Sequence, residues 1–227
     1  MKLLAKSFYL IMLLAGCVTK PINYDYSYTT PVSEIPFAAI DLETTGLNSK
    51  TDRIVEIGIV KFLNGKVIAE RSWLINPGIP IPPSAVKVHG ITTEMVSSSP
   101  AFAVAFPEIA SFIGKSVILA HNARFDIAFM KSEMKLAGQP APRNIVIDTL
   151  PVFRQWFPEM PRHSIELMVK SLELNQSISH RGLTDAYSLY AIFRKGVKAR
   201  PSSLMLADLI KTSGGEEHFW KRTNSVP

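Results

Sequence analysis

The first ordered pattern along the chain is an apolar run, Phe37–Leu42 in "FAAIDLETTGL", which reads as a buried central strand. "GLNSKTDR" follows as a turn. Ile54–Phe62 and Lys66–Ile75 read as two more strands, and the Asn64-Gly65 pair between them signals a tight hairpin. "NPGIPIPPS" reads as a proline-rich loop, and "SPAFAVAFPEIASFIG" as a helix closing at Gly114. "SVILA" is a short buried strand. The helix after it starts with Phe125, Ala128 and Phe129 at i, i+3, i+4 spacing. "NIVIDTL" is a further strand and 163–174 a short helix. Leu183, Ala186, Tyr187, Tyr190 and Ala191 form the apolar stripe of the next helix. Beyond Lys198 the pattern weakens into a poor helix and a polar Gly-Gly tail. An antiparallel meander followed by alternating helices and strands predicts an α/β fold, a mixed sheet covered by helices.

The N-terminus has a different pattern. "MKLLAKSFYLIMLLAGC" carries Lys2 and Lys6, a short apolar stretch and then Leu14-Ala15-Gly16-Cys17. That is the anatomy of a secretory signal, and the apolar run is shorter than the roughly 20 residues of a spanning helix. The ending resembles the lipobox of bacterial lipoproteins, which implies lipidation of Cys17 and membrane attachment facing the periplasm or exterior. The alternative is a misassigned start and a cytoplasmic protein. The expected organisation is a signal over 1–17, a linker over 18–35, a catalytic domain over 36–198 and a tail over 199–227.

Composition narrows the chemistry. The formal net charge is +6, lowered by two if a leader carrying Lys2 and Lys6 is removed. A mildly basic chain fits a polyanionic partner. With one cysteine there is no internal disulfide and no cysteine-rich metal site. Any metal would be held by oxygen ligands, which selects hard ions such as magnesium or manganese.

Alternation places Asp41 and Glu43 on the same face of the first strand, where two like charges repel. Asp126 opens a helix after a buried strand. His180 precedes the last long helix, and Asp185 lies in its first turn. First-turn acids commonly only answer the helix dipole, but the ordered set is distinctive. "DLETTG", "HNARFD" and "HRGLTDA" together resemble the three motifs of the DEDDh, or DnaQ-type, family of 3′–5′ exonucleases. That family includes the epsilon proofreading subunit of a bacterial replicative polymerase. "VHGIT" at 88–92 and "DTL" at 148–150 are also similar to family segments, and the likeness spans about residues 36 to 196. Arg181 stands where a sister group has tyrosine, so the histidine subgroup matches better.

The resemblance implies a ribonuclease H-like fold and hydrolysis of DNA phosphodiesters from single-stranded 3′ ends, with RNA as an alternative substrate. It implies two magnesium or manganese ions, held by Asp41, Glu43, Asp126 and Asp185, and His180 as general base, since imidazole titrates near neutrality. It places Thr44 and Leu47 against the terminal nucleotide. Asn122 is a candidate for orienting substrate, with turn-capping as its other reading. Thr45 and Gly46 shape the turn, and Glu56 and His89 are assigned to structure. The competing reading is an idle relative that binds nucleic acid or serves as an envelope scaffold.

Overall fold

The computed structural model describes residues 26–140, 142–176 and 179–214. The expected signal and Cys17 lie outside the described residues, as do Ala141, Ser177 and Ile178. Among the described residues, no helix is long and apolar enough to cross a membrane.

Among the described residues, five strands form one sheet: β1 (Phe37–Thr44), β2 (Ile54–Leu63), β3 (Lys66–Leu74), β4 (Val117–Ala120) and β5 (Val146–Asp148), in the order β3-β2-β1-β4-β5. The β1–β2 and β2–β3 pairs are antiparallel, whereas β4 and β5 run parallel to β1. This is the mixed ribonuclease H-like sheet expected. The β2–β3 hairpin turns on Asn64 and Gly65, both at positive φ (48° and 66°), as a primed two-residue turn requires.

Among the described residues, eight helices accompany the sheet: α1 (Pro83–His89), α2 (Thr93–Val96), α3 (Phe102–Ile113), α4 (Arg124–Leu136), α5 (Thr149–Trp156), α6 (Ile165–Ser171), α7 (Gly182–Lys198) and α8 (Leu206–Thr212). Ala38, Ile40 and Leu42 of β1 pack on one face with α3 and α4. Phe37 and Ala39 pack on the other with α5, α7 and α8. The odd-numbered face of β1 therefore carries Asp41 and Glu43 towards α7.

Three elements differ from expectation. The proline-rich loop ends inside α1, where Pro83 takes the first helical position at no cost because that N–H has no partner in a helix. "NIVIDTL" is strand only to Asp148, whose side chain caps α5 by accepting the Leu150 N–H at 2.9 Å. On α7 the fully buried stripe includes Ala186, Leu189, Tyr190 and Phe193. Leu183, Tyr187 and Ala191 are only partly buried at its margin. Tyr187 lies there because its hydroxyl donates to Glu70 on β3.

Packing also extends past 36–198. In the segment expected as linker, Val32 and Ile35 are buried, and the Val32 N–H donates to the Leu204 carbonyl at 3.0 Å. In the segment expected as tail, Leu206, Leu209 and Ile210 of α8 join the same core. Short apolar clusters such as "LADLI" carry too few turns for periodicity to register, yet they seal the core edge.

Candidate active site

The site forms at the carboxyl ends of the parallel strands β1 and β4, the edge where open α/β sheets leave a crevice. Asp41 and Glu43 come from β1, Asp126 from the first turn of α4 after β4, and Asp185 from the first turn of α7. Carboxylate oxygens of Asp41, Glu43 and Asp185 all lie within 4.8 Å of one another. Asp126 stands outside this trio and is 5% exposed.

Two glycines allow the convergence. Gly58 of β2 lies directly across from Asp41. A Cβ at Gly58 would meet the Gly182 carbonyl carbon at 1.9 Å, and one at Gly182 would meet the Gly58 nitrogen at 2.8 Å. The start of α7 therefore rests backbone on backbone against the strand pair. One turn later, Asp185 is delivered beside Asp41 and Glu43.

The acids are electrostatically strained. Burial, then the charges of Asp126, Glu43 and Asp185, push Asp41 well above the usual carboxylate range. Burial and Asp185 push Glu43 up to about 8. Burial chiefly raises Asp126 to about 7. Asp185 is raised by burial, with the charge of His180 working against it. A cluster of hard oxygen donors that resists ionisation suits a divalent cation, whose charge would offset the repulsion.

The pH consequence has a definite sign. Unfolded acids titrate near 4, and the native values lie higher. The stability of the protonated cluster is complete below that range and is lost as pH rises through about 8. In chelator, the unfolding temperature should fall between about pH 5 and pH 8, and fall more steeply than in Glu43→Gln. Thermal unfolding of both proteins across that interval checks it. A wild-type slope no steeper than the variant's would contradict it.

The neighbouring groups are held firmly. The Thr44 hydroxyl donates to the Gly46 carbonyl at 2.6 Å. His89 accepts the Ile91 N–H on Nδ1, so its Nε2–H donates to the Thr44 carbonyl at 3.3 Å. Asp52 receives the Thr45 hydroxyl and the Asn48 N–H, and Leu47 projects from this pinned turn 86% exposed. Asn122 adopts a left-handed φ of 59°, and its N–H donates to Asp148 Oδ1 at 3.1 Å. The Asn122 backbone thus serves the turn, while the residue itself is exposed. His121 donates from Nδ1 to Thr149 Oγ1, whose own proton goes to the Ala120 carbonyl. His180 is exposed, with a φ of 45°.

Gly58 and Gly182 escaped the sequence reading, and Asp148 entered it only as part of the family-like segment "DTL". A lone glycine inside an apolar strand marks a close backbone approach, and that signal was present in "VEIGIV". Asp148 was read inside the strand "NIVIDTL", which hid its role as the cap of α5.

Comparison with known proteins agrees with this geometry. The RNase_T exonuclease family matches residues 38–193. The DNA polymerase III subunit epsilon of Treponema pallidum is 35% identical over 171 residues, which are 74% of this chain and 80% of that protein. A PolC-type DNA polymerase III from Clostridium perfringens is 32% identical over 173 residues, 76% of this chain. The chain spans only 12% of that polymerase's length. Among solved structures, Exonuclease X in complex with 5′-overhanging duplex DNA superposes with a TM-score of 0.65 at 27% identity, covering 78% of this chain and 99% of that one. Escherichia coli Exonuclease I shares the fold, with a TM-score of 0.66 at 23% identity over 79% of this chain and 43% of that one. By its three ordered motifs, its sheet and its relatives, this chain belongs to the DnaQ-type exonuclease family.

Proposed function

We propose that this chain removes nucleotides from the 3′ end of DNA, preferring single strands, with RNA as the alternative substrate. The observation that carries this reading is the convergence of Asp41, Glu43 and Asp185 within 4.8 Å. The relatedness to Exonuclease X, whose structure holds 5′-overhanging duplex DNA, favours a nucleic-acid substrate.

In this reading Asp41, Glu43 and Asp185 hold one magnesium or manganese ion, and Asp126 joins Asp41 towards a second. When bound, such ions neutralise the acids and polarise a phosphate for hydrolysis. His180, exposed at the mouth of α7, is free to take the proton from the attacking water. The acids are already gathered before any substrate binds, so charge developing on a phosphate would meet a preorganised site. Leu47 offers an apolar surface at the rim for the terminal base. The Thr44 backbone, fixed by His89, and the Asn122 side chain flank the same approach.

Digestion of a single strand labelled at its 5′ end, in magnesium, tests the direction. A descending ladder that keeps the label is expected. Early release of the labelled nucleotide, or internal cuts, would contradict it.

A further inference from the structure

Glu56 and Arg181 lie beside the site without belonging to the acid trio. Glu56 is 2% exposed on β2, directly opposite Glu43. Two acids facing each other across a strand pair repel. Burial alone would raise the Glu56 carboxyl, but hydrogen bonds from Arg181, Ser72 and Gly182 outweigh it and hold the group below its usual range.

The geometry of those bonds is specific. Arg181 donates to Glu56 from Nε at 2.9 Å and Nη2 at 3.0 Å, a two-pronged fork. The Gly182 N–H donates to the same carboxylate at 3.0 Å. The Ser72 hydroxyl donates from β3 at 2.7 Å, tying the carboxylate to the sheet. Three of these four donors thus belong to the two residues that follow His180. Gly182 is also pressed against the Gly58 backbone. The chain at 181–182 is therefore anchored to the strand opposite Asp41 and Glu43.

His180 is the residue immediately before this anchor. Its φ of 45° is a left-handed conformation, which a side chain other than glycine keeps only where its neighbours over-determine it. The fork fixes the peptide that leaves His180, and Arg181 then enters α7 in extended conformation at φ −133° and ψ 129°.

We infer that Arg181 is a positioning residue: its fork on Glu56 sets the direction in which His180 stands over the acids. The inference rests on the proposed role of His180 as base. A lysine at 181 would keep the charge but lose the planar two-pronged donor. A role in charge balance alone would survive that change, whereas a role in alignment would not.

The test is a double-mutant cycle on the full chain, read as single-turnover hydrolysis in magnesium. Arg181→Lys should lower the rate by about 10-fold to 10²-fold, the usual effect of misplacing a catalytic group through its support. KM and the magnesium concentration for half-activity should stay near wild type, because the acids are untouched. In a His180→Ala background, Arg181→Lys should change the rate by less than about twofold, since residues that act as one unit are not additive. A wild-type rate for Arg181→Lys, or an equal further loss in the His180→Ala background, would overturn the inference while leaving the base intact. A wild-type rate for His180→Ala would instead remove the base itself. Thermal unfolding confirms that each variant is folded. Should Arg181→Lys fail to fold, Ser72→Ala replaces it: it loosens Glu56 while keeping both charges, and the same non-additive loss is expected.

Discussion

Asp41→Ala is expected to abolish nucleotide release while leaving the fold intact. Asp41 is the acid on which the others converge: Asp126, Glu43 and Asp185 all act on it. Removing it takes away the oxygen donor proposed to serve both ions. Losing several kcal/mol of charge stabilisation, at 1.36 kcal/mol per tenfold in rate, corresponds to roughly 10³-fold or more. Stability should move the other way. Asp41 is a carboxyl whose charged form is disfavoured by burial and by four acidic neighbours, so its loss relieves repulsion in the metal-free protein. Circular dichroism and thermal unfolding in chelator, beside single-turnover hydrolysis in magnesium, separate the two effects. A variant that keeps a tenth of the wild-type rate, or that unfolds, would contradict the assignment.

Gly58→Ala is expected to damage both stability and activity, although Gly58 bears no functional group. The new Cβ would lie 1.9 Å from the Gly182 carbonyl carbon and 2.1 Å from the Leu183 nitrogen. Both are backbone atoms, so no side chain can swing away. Either α7 lifts from β2 or the strand bends. Overpacking of this kind usually costs about 1–3 kcal/mol, occasionally more. The displaced helix carries Asp185 and the 181–182 anchor, and shifts of about 1 Å at a catalytic site can cost about 10²-fold in rate. Denaturant unfolding gives the first quantity and hydrolysis the second. Gly78→Ala is the comparison: nothing lies within 4 Å of that Cβ position, but its φ of 70° strains any side chain, so it should lose some stability and no activity. An equal loss of hydrolysis in the two variants would show that the contact with Gly182 is not what matters.

The sequence was most informative where one physical rule acted alone. Phe37–Leu42, with acids at 41 and 43, could be read as a buried strand because nothing competes with a continuous apolar run. The hairpin at Asn64-Gly65 was legible because the turn demands positive φ. Asp126 and Asp185 each looked like ordinary first-turn acids, and only the order of the three motifs separated them from helix-dipole partners. What stayed hidden depended on tertiary contact. Pro83 looks like a loop residue until a helix begins on it. Asp148 ends a strand and caps a helix in the same residue, so the apolar run masks the boundary. Leu206, Leu209 and Ile210 are too few to show a period but find a core to complete. Gly58 and Gly182 lie 124 residues apart in the chain, and their contact exists only once α7 docks. Arg181 in "HRGLTDA" likewise reads as a replacement for another subgroup's tyrosine until Glu56 is seen beneath it.

The most direct measurement of the central claim is digestion of the 5′-labelled single strand by the purified protein, first in magnesium, then in excess chelator, then with magnesium or manganese restored. The acid cluster as a metal-dependent hydrolytic centre predicts shortening from the 3′ end in magnesium, arrest in chelator and recovery on restoring either ion. Hydrolysis that continues unchanged in excess chelator would contradict it.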